Sequence, residues 1–174
     1  GGSTLATQIE KFRHSPGGRT HDTDDKFHQM MSAALRAYQD GEETLPARRR
    51  IVLDFVNSVS FGGIPGYGEV NGLGDGLWVW FAADFARVNA LLSAADGEGD
   101  TLRAQGRALR QVVALMIAHR RPTWYLARGR DELNRSTDAH LRLLAGAGII
   151  SAALREAALA QPLSFRDLAA DPAS

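Results

Sequence analysis

The chain has 174 residues, 44% of them apolar and 23% charged, which excludes an intrinsically disordered segment. Its 20 basic and 20 acidic side chains cancel, and since a polyanion-binding protein normally carries a basic excess, nucleic acid is excluded as a first partner. There is no cysteine, hence no disulfide, thiolate metal site or cysteine nucleophile, and the longest apolar stretch, residues 112–118, is far short of the roughly 20 residues that span a bilayer.

Helical periodicity dominates the chain. Phe27, Met30, Met31, Ala34, Leu35 and Tyr38 form the stripe of an amphipathic helix, with Asp22 or Thr23 as its cap and Gly41 where it stops. Thr44 and Pro46 open a second helix, whose buried face is expected to be Ile51, Val52, Phe55 and Val59. Residues 62–76 hold seven glycines in fifteen positions, which disfavours helix and strand alike and predicts a long, functional or mobile loop. A long helix then carries Leu77, Phe81, Phe85, Val88 and Leu92 on one face. Asp100 is placed to cap the next, with Leu109, Val112, Val113, Met116 and Ile117. Residues 120–129 read as a connection. A further helix runs through Leu133, Leu141 and Leu144 to Gly146 or Gly148, and Ser151 caps a short alanine-rich helix that stops at Pro162. Ser164 is placed to cap a last turn before a polar tail, 163–174. No alternating strand pattern stands out, so the expected class is all-α, with six or seven helices and a glycine-rich loop.

Several chemistries find no support. There is no GxxxxGK[ST] phosphate loop, and the GYG and GLGDG runs follow a helix rather than the strand that a dinucleotide fingerprint needs. Histidines 14, 21, 28, 119 and 140 form no HExxH pattern; no carboxylate spacing supports a site at His21 and His28, so they read as solvated and no metal site is expected. The N-terminus is more informative. Taken alone, GGS also reads as a linker, but the continuation GGSTLATQIEK sets Thr4, Gln8 and Lys11 on one helical face behind a glycine-rich, hydroxyl-bearing first turn. Free N–H groups at such a start favour an anion, and Ser3, Thr4 and Lys11 add donors, so the expected ligand is phosphate or pyrophosphate. Of the 20 basic residues, only Lys11 and Lys26 are lysines, which singles both out.

GGSTLATQIEK resembles the second motif, usually GGSTITQQLAKN, of the peptidoglycan glycosyltransferases (glycosyltransferase family 51), the polymerising domain of bifunctional penicillin-binding proteins. Gly1, Gly2, Ser3, Thr4, Gln8 and Lys11 match; Ala6, Thr7 and Phe12 depart. The similarity continues in order. DKFHQM resembles the third motif, RKxxEA, with Lys26 matching, Asp25 in place of Arg and Gln29 in place of Glu. RRRIVLDFVNSVSFGG resembles the fourth, KxxILExYLNxxxFG, with Ile51, Phe55, Val56, Asn57, Phe61 and Gly62 fitting and Leu53 at the Glu. PGYGEV and WVWFAAD are similar to the family's YGVEAA and YFG stretch, and residues 133–163 to its ERRNLVLRRMVELGYITEAEYEAALAEPL end. Nearly the whole chain is covered.

The resemblance implies a lysozyme-like helical fold on the outer (periplasmic) face of the bacterial cytoplasmic membrane, acting on a lipid-linked disaccharide-peptide at the membrane surface. There, an acceptor hydroxyl displaces polyprenyl pyrophosphate from the sugar's anomeric carbon. That chemistry needs a general base and charge stabilisation for the leaving group. Ser3, Thr4, Gln8, Lys11, Lys26 and Asn57 are the implied substrate-binding residues. A divalent cation such as Mg²⁺ beside the pyrophosphate is compatible with the chemistry; no cofactor is read from the residues themselves. The family's base is a Glu in an EDxxF motif upstream of GGST, and the chain starts after that point, with Gly rather than Met, as a piece of something longer would. At the family's second Glu stands Gln29. Glu69, in the glycine loop, and Asp54 are the candidate replacement carboxylates, although each reads more readily as a solvated surface residue. Trp78 and Trp80 are placed to stack on sugar rings unless buried. The run Arg48-Arg49-Arg50 reads as a solvated face or as a contact for anionic lipid headgroups. Without an upstream segment, the first helix's apolar face, Leu5, Ile9 and Phe12, is expected to lack cover.

Overall fold

The computed structural model describes residues 9–10, 23–37 and 44–170, with side chains of the second stretch described from 29 to 36. Helices account for most of these residues, as expected of an all-α chain, together with one small hairpin. The chain divides into two compact units, 1–58 and 59–174.

In the first unit, α1 (Thr23–Ala37) packs on α2 (Leu45–Ser58). Pro46 sits in the first turn of α2, and the Arg48 N–H closes that turn on the Thr44 carbonyl at 2.9 Å. At the other end the Ser58 hydroxyl donates back to the carbonyls of Asp54 (2.6 Å) and Phe55 (3.4 Å), a local bond that competes with helix continuation. The face of α1 differs from the expectation. Met30, Met31 and Leu35 are exposed, while Gln29 and Ala33 are buried. Gln29, Ala33 and Arg36 also recur at helical spacing, and the charged end of that row explains its inward turn. Arg36 pairs with buried Glu10 at 2.8 Å and with Asp54 at 3.3 Å, so it serves two carboxylates at once. Small Ala33 and Ala47 line the interior beside Ile51. On α2, Val52 is exposed and Phe55 half-buried, so only Ile51 of those expected helix positions is buried, with Val59 buried just beyond the helix. Ile9 is buried rather than uncovered; Leu5 and Phe12 lie outside the described residues.

The second unit begins with a hairpin where a structureless loop was expected. Strand β1 (Ser60–Ile64) pairs antiparallel with β2 (Gly68–Asn71), in the register Ser60↔Asn71, Gly63↔Glu69 and Ile64↔Gly68, with an irregularity between Ser60 and Gly63. Pro65 and Gly66 turn the chain; Gly66 has φ +87°, a left-handed conformation that suits glycine, and the Tyr67 N–H reaches the Ile64 carbonyl at 3.2 Å. Phe61 and Val70 point inward and are fully buried, which gives the glycine-rich hairpin its anchor.

Helix α3 (Gly72–Phe81) continues directly from β2. The long helix expected through Leu92 is broken here. Ala82 adopts the left-handed conformation (φ 52°) and its N–H returns to the Trp78 carbonyl, a C-terminal cap; Asp84 then caps α4 (Phe85–Ser93) by accepting the Arg87 N–H at 2.7 Å. Helix α5 (Gly99–Ala118) is the central element, in contact with α3, α4 and the two α-helices C-terminal to it. Glu98, not Asp100, stands at its N-cap. Buried Gln105 fixes the α4–α5 connection: its amide nitrogen donates to the carbonyls of Leu91 (3.0 Å) and Ala95 (2.9 Å), and its oxygen accepts the Gly97 N–H at 2.8 Å. After a short π-helix (Trp124–Arg128) come α6 (Arg130–Gly146) and α7 (Ala152–Leu159), the latter capped by Ser151 accepting the Leu154 N–H at 2.9 Å, as expected. Leu115, Leu126, Leu133 and Leu141 form the fully buried centre. The start of the expected tail is not loose. Phe165 packs on Phe81 with ring centres 5.1 Å apart, and the Arg166 N–H donates to the Trp80 carbonyl at 2.8 Å, satisfying the end of α3.

Candidate functional site

The residues of the anion-binding reading divide between described and undescribed parts of the chain. Ser3, Thr4, Gln8 and Lys11 lie outside the described residues, as does the side chain of Lys26, whose backbone belongs to α1. The expectation that Lys11 and Lys26 flank one cleft therefore falls there too. Gln29 is described: it is 1% exposed on the inward face of α1. A carboxamide donates and accepts hydrogen bonds but does not ionise, so this position offers no proton acceptor of the kind a carboxylate would.

Asp54 and Asn57 stand on α2. The Asp54 carboxylate is held by Arg36, which also holds Glu10, so two of the first unit's acids share one guanidinium. Glu10 was not singled out from the sequence. In the sequence it is only an acid set between Ile9 and Lys11. Asn57 is exposed near the end of the helix.

Glu69 belongs to the second unit and stands on a strand, not in a loop. It is exposed, points away from its buried neighbour Val70, and accepts from the Asn71 amide at 3.5 Å. Trp80 is buried, so its ring is not open to stacking; Trp78 is 42% exposed, with Arg166 over its ring at 4.5 Å while donating to the Trp78 carbonyl at 3.3 Å.

The hairpin turn carries one perturbed group. The Tyr67 phenol is pushed above its ordinary 10.0, first by loss of hydration, then by the negative charge of Asp75 and a hydrogen bond to it. The fold thus favours the neutral phenol. That contribution to stability is complete below about pH 10 and is lost as pH rises through the raised value. An NMR titration is expected to show Tyr67 deprotonating above pH 10.0, and Asp75→Asn to bring the midpoint down. A midpoint unmoved by that substitution would separate the two residues.

Family models, curated proteins and solved structures give no match to this chain. Among the described residues there is no group of three or more His, Asp or Glu side chains placed to hold a metal ion. Nor does any helix among them have the length and apolarity to cross a membrane.

Proposed function

We propose that the chain is a peptidoglycan glycosyltransferase-like domain, which elongates glycan strands from lipid-linked disaccharide-peptide with release of polyprenyl pyrophosphate at the outer face of the bacterial cytoplasmic membrane. One observation carries the reading: GGSTLATQIEK, DKFHQM, RRRIVLDFVNSVSFGG and the 133–163 segment occur in the family's order over nearly the whole chain. In this reading Ser3, Thr4, Gln8, Lys11, Lys26 and Asn57 bind the substrate, the lysines meeting the pyrophosphate charge that grows as the anomeric bond breaks. The surface of α2 supports contact with a lipid interface. Leu45, Arg48, Arg49, Val52 and Leu53 fall at helical spacing on one exposed face, joining apolar side chains to positive charge.

A second reading, a non-catalytic module that binds lipid-linked glycan or a cell-wall partner, is favoured by Gln29. At the place of the family's second Glu, Gln29 does not ionise. One experiment addresses both. Vesicles carrying the lipid-linked disaccharide-peptide are mixed with the chain, and binding and glycan formation are followed separately. Binding is expected, and Lys11→Met or Lys26→Met is expected to weaken it about tenfold or more. Polymerisation is expected to fall about 10²- to 10⁴-fold below that of a domain with a positioned base. Absence of binding would remove both readings. Efficient glycan synthesis would remove the second and direct attention to Glu69 and Asp54, each tested as its amide.

A further inference from the structure

A cleft of about 300 Å³ opens between the end of α3, α4 and α5 in the second unit. It lies at the lower end of the size range of small-molecule sites. Its walls are apolar where Phe81, Val88, Leu91 and Ala108 meet, and two cations line it, Arg87 from α4 and Arg107 from α5. The charge balance there is uneven. Asp84 is the one acid among the lining residues, and its carboxylate already accepts the Arg87 backbone N–H at 2.7 Å. Among the described residues the Arg87 guanidinium has no hydrogen bond or ion pair. Arg107 bonds at 3.3 Å to the side-chain oxygen of Gln161, a neutral partner. The lining therefore carries one surplus positive charge. Gln111, 9% exposed, also lines the cleft, and its carboxamide makes no hydrogen bond to another described residue, so its polar atoms are open to the cleft's solvent. A carboxamide there offers one acceptor and two donors to a ligand amide.

We propose that this cleft binds a small organic monocarboxylate with an aliphatic body and an amide, the chemistry of an N-acylated amino acid. The carboxylate meets Arg87 and Arg107, whose surplus of one charge suits a monoanion better than a dianion. The aliphatic side chain lies on Phe81, Val88 and Ala108, and the ligand amide exchanges hydrogen bonds with Gln111. The proposal is independent of the glycosyltransferase reading, since all its residues belong to the second unit and none was assigned to the pyrophosphate.

The probe is N-acetyl-L-leucine, titrated into the chain and followed by backbone amide shifts. Saturable shifts confined to α3, α4 and α5 are expected, with half-saturation below about 10 mM, the weak range proper to a ligand this small. The methyl ester of the same compound, which lacks the charge, is expected to bind at least about tenfold more weakly. Arg87→Gln and Arg107→Gln change exposed residues, so both should stay folded, and each is expected to weaken the acid several-fold while leaving the ester unchanged. Gln111→Leu is expected to weaken acid and ester alike. The proposal is overturned by an absence of saturable shifts, by equal binding of acid and ester, or by arginine variants that bind the acid as the parent does.

Discussion

Asp138→Ala is expected to lower the unfolding free energy by about 3 kcal/mol, and to do so more severely than Arg110→Met. Among the described residues, Arg110 is the one charged side chain driven deep into the second unit's helical core. Its side chain is 4% exposed, and it ties three helices: one terminal nitrogen donates to the Ala158 carbonyl of α7 at 3.2 Å, and the other reaches Asn134 (2.5 Å) and Asp138 (2.7 Å) of α6. Removing Asp138 leaves the guanidinium buried with two neutral acceptors and no counter-charge. Removing Arg110 instead strands a carboxylate that is 30% exposed and can turn to water. Methionine would refill much of the arginine's volume with a flexible apolar chain, so that variant should cost less, about 1–2 kcal/mol. Chemical denaturation of the two variants measures the difference. Equal losses would mean that the pair contributes by packing rather than by charge.

The same pair shows what the sequence conveys and what it withholds. A buried Arg–Asp contact joins residues 28 positions apart, on helices whose periodicity reveals their apolar faces but not their polar partners. Some local signals were readable where one residue decides the outcome. Ser151 caps α7, Pro46 opens α2, and Gly148 with φ +70° comes just after the end of α6, each because a side chain or a missing one sets the backbone directly. The break after α3 escaped because Leu77, Phe81, Phe85, Val88 and Leu92 keep helical spacing across it; Asp84 as an N-cap was the signal. The hairpin escaped because its strands are only five and four residues long and rich in glycine, so the alternation reduces to Phe61 and Val70 around a Pro-Gly turn. On α1 two faces have helical spacing, and apolarity alone chose the wrong one. The inward row carries Gln29 and Arg36, and its preference came from Glu10 and Asp54, which are distant in sequence. Of the candidate site, GGSTLATQIEK was legible as a resemblance, and its Ser3, Thr4, Gln8 and Lys11 lie outside the described residues. The Arg87–Arg107 cleft was not legible, because only the packing of α4 on α5 brings those arginines to one opening.

Gly106→Ala is the second change expected to be severe, although alanine normally strengthens a helix. Gly106 lies in the middle of α5 at the crossing with α7, where a Cβ would stand 2.6 Å from the carbonyl carbon of Ala157, 2.7 Å from the nitrogen of Ala158 and 2.8 Å from the oxygen of Ala157. These are backbone atoms, so no side-chain rotation relieves the clash and the two helices must separate. In an open helix the substitution would gain about 1 kcal/mol from propensity. Here the forced separation should outweigh that gain and leave a net loss of about 1–3 kcal/mol. Gly146→Ala is the control. It ends α6, a Cβ there meets nothing within 4 Å, and a gain of about 0.4–1 kcal/mol is expected from the stiffer unfolded chain. The Gly106 change should also disturb Arg110, whose bond to the Ala158 carbonyl crosses the same contact. The double variant Gly106→Ala, Asp138→Ala is therefore expected to lose less than the sum of its parts, because the first change has already loosened the helix that the arginine holds. Strict additivity in denaturant melts, or a Gly106→Ala protein as stable as its parent, would show that α5 and α7 adjust without strain and that the close crossing is not what requires glycine.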